Sequence, residues 1–82
     1  MTVRLRHQLT GYDRETDFVG VEYVLDPPLF SKIRKLVNVD PGDPAAVSAY
    51  PIDGAQLRSI SDLLGKHLDN DKYEFFLEPI GR

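Results

Sequence analysis

The chain has 82 residues, a formal net charge of −3 and no cysteine. A chain of this size has room for one domain and buries only about 60% of its unfolded surface, and without cysteine it has neither a disulfide framework nor a thiolate metal site to supplement the core. The acidic balance argues against nonspecific nucleic-acid binding, which draws its affinity from lysine and arginine neutralising phosphates.

Val3-Arg4-Leu5-Arg6-His7-Gln8-Leu9-Thr10 alternates apolar and polar residues, and Phe18-Val19-Gly20-Val21-Glu22-Tyr23-Val24-Leu25 answers it. With Gly11-Tyr12-Asp13-Arg14-Glu15-Thr16 as the break, the pair reads as a two-faced β-hairpin. Pairing Leu9 with Val19 sets Val3, Leu5, His7 and Leu9 opposite Leu25, Tyr23, Val21 and Val19 on a core face, and Arg6 opposite Glu22 on the other. Pairing Leu9 with Val21 instead keeps the faces and separates Arg6 from Glu22. A one-residue slip is excluded, because it would bury the arginines.

Asp26-Pro27-Pro28 marks a helix start, with Asp26 accepting orphan amide bonds and Pro27 standing where an N–H is not needed. Leu29, Phe30, Ile33, Leu36 and Val37 form one apolar stripe, and Asn38 closes the helix. The segment Asp40-Pro41-Gly42-Asp43-Pro44 is a tight loop, with Asp43 capping a short turn through Ala45, Ala46 and Val47. Ala49-Tyr50-Pro51 is extended, because the residue before a proline is pushed out of the α region.

Asp53 and Gln56 have capping-box spacing, Leu57, Ile60, Leu63 and Leu64 face a core, and Gly65 is the left-handed stop. After the Asp69-Asn70-Asp71 turn, residues 72–78 form a third strand with Tyr73, Phe75 and Leu77 inward and Glu74, Phe76 and Glu78 outward. The expectation is a single α+β domain over residues 1–82. It has two layers: a three-stranded, mostly antiparallel sheet in the order β-β-α-α-β, with two helices on one face. Beside the second strand the third would most simply run antiparallel, whereas beside the first it would need a right-handed parallel crossover.

The stretches Tyr12-Asp13-Arg14-Glu15-Thr16, Tyr50-Pro51-Ile52-Asp53 and Tyr73-Glu74-Phe75-Phe76-Leu77-Glu78 resemble a family of small uncharacterised bacterial proteins, a domain of unknown function, over almost the whole chain. The resemblance implies a stand-alone bacterial domain and brings no activity to any residue.

Chemistry-bearing patterns are sparse. His7 and His67 have no second ligand at helical spacing, and Asp69, Asn70, Asp71 and Glu74 lack the glycine and distal glutamate of a calcium loop. No serine has a nucleophile-elbow context and no glycine-rich phosphate loop is present, so no catalytic, cofactor-binding or metal residue is assigned. Residues 2–6 lack a signal-peptide core and no apolar run reaches membrane-spanning length, which makes the expected setting cytoplasmic with no membrane partner.

The outer sheet face is the remaining candidate. Arg4, Arg6, Phe18, Glu22, Glu74, Phe76 and Glu78 combine exposed aromatics with arginine, types enriched at protein contacts. The expected function is a non-catalytic interaction or regulatory module that binds a protein partner or itself and binds no nucleic acid. A small acidic inhibitor of the immunity or antitoxin type fits the size and charge. The other reading is a small-molecule or enzyme-accessory domain with a pocket between helices and sheet, using His7, Tyr50 and Tyr73.

Overall fold

The computed structural model describes residues 6–80. The expected strand residues Val3, Arg4 and Leu5 lie outside the described residues. The elements in chain order are β1 (Arg6–Asp13), β2 (Val19–Leu25), α1 (Pro27–Val37), β3 (Tyr50–Pro51), α2 (Gly54–Leu64) and β4 (Tyr73–Ile80).

Both helices begin and end where their caps dictate. The Asp26 carboxylate accepts the Leu29 amide at 2.9 Å, Pro27 and Pro28 occupy the first turn, and Asn38 closes α1 in the left-handed conformation at φ 61°. In α2 the capping box is complete: Asp53 accepts the Gln56 amide at 2.8 Å, while the Gln56 side chain accepts the Asp53 amide at 3.0 Å. Gly65 supplies the left-handed stop at φ 67°, a conformation that suits a residue without Cβ.

The hairpin forms in a different register from either expected one. Leu9 lies opposite Tyr23 and His7 opposite Leu25. Arg6 therefore does not face Glu22, whose partner is Thr10. The cause is the turn. Asp13 Oδ1 accepts the amides of Glu15 and Thr16 at 2.8 and 3.2 Å, and the Asp13 amide donates to the Phe18 carbonyl at 2.8 Å. This side chain tightens the turn enough to keep Gly11, Tyr12 and Asp13 in the ladder. Because the displacement is a multiple of two, the inward set His7, Leu9, Val21, Tyr23 and Leu25 is preserved. Near the turn, Gly11 faces Val21 and Tyr12 faces Val19, so Gly20 is an extra residue that bulges β2.

The sheet has four strands, not three, in the order β2-β1-β4-β3, and every neighbouring pair is antiparallel. The additional strand is β3, whose Tyr50 and Pro51 pair with Leu77 and Phe76. Proline is tolerated there because β3 is an edge. β3 also explains why β4 lies antiparallel beside β1 without the expected parallel crossover. Between β2 and β4 the chain makes an extra return through β3, so β4 arrives running opposite to β1.

Two helices on one face remain the correct description. Leu9, Leu25, Phe75 and Leu77 from the sheet meet Ile33 and Val37 of α1 and Leu57 and Ile60 of α2 in a continuous core. Gly11 marks its tightest point. A Cβ there would stand 2.7 Å from Val21 Cγ2 and 2.9 Å from Phe75 Cε1, with the Phe75 ring itself buried. Gly11→Ala should lower unfolding stability by about 1–2 kcal/mol, since overpacking outweighs the reduced unfolded-state entropy; urea denaturation measures it.

Candidate interaction surface

The face that α1 and α2 leave uncovered is built on β1. Alternation places Arg6, Gln8, Thr10 and Tyr12 on it; Glu22 and Val24 flank them from β2, and Glu74, Phe76, Glu78 and Ile80 from β4. The Gln8 amide donates to Thr10 Oγ1 at 2.9 Å and to Glu22 Oε2 at 3.1 Å. The Tyr12 hydroxyl donates to Glu78 Oε2 and Oε1 at 2.8 and 3.0 Å, and its ring meets Phe76 edge-on with centroids 5.6 Å apart. Tyr12 sits opposite Glu74 in the ladder, yet it reaches Glu78 four residues along, so its ring is laid along the strands. Thr10, on the same face, is only 1% exposed.

The hydrogen bond to Glu78 is the main reason the Tyr12 phenol is pushed above its ordinary value; burial and the charges of Glu78 and Glu22 add to it. A tyrosine with a raised folded-state pKa contributes stability that is complete below its unfolded pKa of about 10 and is lost as pH rises through the folded value. Tyr12→Phe should therefore cost about 0.5–1.5 kcal/mol at neutral pH. Denaturation series from pH 7 to 11 should then show a smaller alkaline loss in the variant than in the native chain.

The seven expected surface residues fare differently. Glu22, Glu74, Phe76 and Glu78 share the outer face, and Arg6 stands at its margin opposite Ile80. Arg4 lies outside the described residues. Phe18 is not on this face: it precedes β2 in the turn, 76% exposed, and the Gly20 bulge gives the position opposite Tyr12 to Val19 instead. Val19 was expected inward and is 51% exposed, while Val24 on the same strand is 53% exposed. The apolar members are thus Val19, Val24, Phe76 and Ile80. Tyr12 was legible only to a reader who carried the alternation of β1 two residues past Thr10.

The residues of the alternative pocket are not brought together. In the ladder, His7 faces Pro79 and Asp13 faces Tyr73, which puts His7 and Tyr73 six residues apart along β4, about 20 Å. His7 is 4% exposed, its ring stacked on Phe30 at 3.9 Å, and Nε2 stands 3.1 Å from the carbonyls of both Ala45 and Ala46. Carbonyls only accept, so Nε2 carries the proton. This bond holds a loop in which buried Ala46 adopts φ 51°. The Tyr50 hydroxyl donates to Asp43 Oδ2 at 2.7 Å. The Val47 amide first, then this hydroxyl, hold the Asp43 carboxyl below its usual range. Burial, then the bond to Asp43, raises Tyr50. His7→Phe keeps the stack but leaves the Ala45 and Ala46 carbonyls without their donor; thermal unfolding should register a loss of about 1–3 kcal/mol.

The acidic turns are occupied by their own backbone. Asp69 Oδ1 accepts the amides of Asp71 and Lys72 at 3.0 and 3.2 Å, and Asp40 Oδ1 accepts that of Gly42 at 2.8 Å. His67 borders a shallow, open depression of about 330 Å³ beside α2, with Arg58, Ser61, Asp62 and Asn70.

A family described as a domain of unknown function, DUF7683, matches residues 6–78. The chain belongs to this family. The DUF7683 match begins at the first residue of β1 and ends inside β4, so it takes in every element of the fold. No curated protein and no solved structure matches the chain. No described helix is long and apolar enough to cross a membrane.

Proposed function

We propose that this DUF7683 member is a non-catalytic interaction module that contacts another polypeptide through the outer face of its sheet. One observation carries the reading: the face left uncovered by the helices exposes Val19 and Val24 of β2 by more than half their surface, among carboxylates and with Phe76 on the same face across β1. Isolated exposed apolar residues are ordinary, but apolar groups among fixed polar neighbours on an otherwise rigid sheet make a preorganised contact surface. Two hydrogen-bonded sets, Gln8 with Thr10 and Glu22, and Tyr12 with Glu78, hold these polar neighbours in place.

No observation favours a small-molecule pocket at His7, Tyr50 and Tyr73. The polar groups of the first two are engaged by the protein itself, and the third stands at the other end of the sheet.

Val19→Asp combined with Val24→Asp tests the surface, with Val47→Asp as a control at an exposed valine outside the sheet. Each added aspartate should cost no more than about 1 kcal/mol on an exposed strand position, so the double variant stays folded. Light scattering and affinity capture from native lysate should show a contact retained by the native chain and the control and lost from the double variant. The same mass and the same captured proteins in all three would overturn the reading.

A further inference from the structure

The outer-face reading leaves open what kind of chain is bound, and the edge of β2 bears on it. With the order β2-β1-β4-β3, β2 is a terminal strand, and one side of its backbone has no neighbour among the described residues. Its mate at the opposite edge, β3, is two residues long and carries Pro51, which limits further pairing there. β2 has neither protection over Val21–Leu25, the regular stretch beyond the Gly20 bulge. Alternate N–H and C=O groups of that stretch point away from β1 and are available to an added strand.

The charges along this edge select the occupant. Glu22 is exposed at its middle, and the exposed Asp26, whose Oδ1 caps α1 through the Leu29 amide, follows its end; both carboxylates are held by neutral donors, Glu22 by the amide of Gln8. On the same face but two strands away, on β4, Glu78 is bonded by the neutral phenol of Tyr12 and Glu74 is exposed; Arg6, at the margin on β1, is the cation of this face among the described residues, so the face stays acidic. Lys66 lies on the other side of the sheet, 5.8 Å from the centre of the inward-facing Tyr23 ring. A second copy is a poor occupant. Symmetric antiparallel pairing of β2 centred on Glu22 sets Glu22 against Glu22, and centring on Tyr23 sets each Glu22 against Val24; the first repels and the second desolvates a carboxylate.

We infer that the open edge of β2 accepts an extended, basic segment of another protein by antiparallel strand addition. Its cations lie opposite Glu22 and Asp26, and its apolar residues lie beside Val24. This inference rests on the interaction-module reading and narrows it to a partner chemistry.

The test uses a capped nonapeptide, Lys-Thr-Val-Thr-Lys-Thr-Val-Thr-Lys, in which lysine and valine alternate along one face of the strand. It is compared with its glutamate–valine counterpart and with the lysine–valine peptide N-methylated at alternate residues, which keeps the charge and removes ladder donors. The lysine–valine peptide should bind saturably and slow amide exchange within Val21–Leu25. The two comparison peptides should not bind, and Glu22→Lys should weaken the complex about tenfold. Equal binding of the acidic or N-methylated peptide, no saturable binding, or a native dimer paired through β2 would each overturn the inference. Binding that perturbs Val24 and Phe76 without slowing the β2 amides would overturn it too, while leaving the outer-face reading intact.

Discussion

β1 is paired along both edges and packed against the core on one face, and the rest of the fold is arranged around that condition. Its inward residues His7, Leu9 and Gly11 meet the core, and its outward residues Gln8, Thr10 and Tyr12 knit the exposed face together. A strand enclosed by neighbours on both edges must satisfy the buried polar side chains it carries. His7 does so through two loop carbonyls, Thr10 through Gln8, and Tyr12 through Glu78. Gly11 meets the other demand, space, because Phe75 and Val21 close over it from the strands on either side.

The two sides of β1 thereby serve different ends. On the helix side, apolar packing dominates, and the one buried histidine holds the loop after α1 against the sheet. On the open side, the interactions are polar and directional, and they fix side chains that face solvent. The acidic character of the open side follows from the same arrangement: Glu22 and Glu78 are held by neutral donors, so their charges remain available to an approaching partner.

The helices were the most legible part of the chain. Asp26, Asn38, Asp53, Gln56 and Gly65 act through bonds to residues three or four positions away, so their roles are written in local spacing. The faces of the strands were legible for a similar reason, since alternation survives any even change of register. The register itself was not, because it depends on how tightly Asp13 closes the turn. β3 escaped notice as a strand because two extended residues become one only when β4 supplies the partner. Of the candidate surface, the β4 residues and Glu22 were readable from alternation. Phe18 was misplaced and Val19 missed because a single bulge at Gly20 reverses the alternation at the start of β2.

By itself, then, the sequence determined two capped amphipathic helices, an inward apolar set on each long strand, an acidic balance and the α+β class, since each is a property of nearest neighbours along the chain or of composition. Tertiary structure alone decided the hairpin register, the order β2-β1-β4-β3, the company kept by Tyr12 and the exposure of Val19 and the β2 edge. Those depend on which distant backbone groups pair. Alternating strands of similar character offer several nearly equivalent pairings until turn closure and core packing select one.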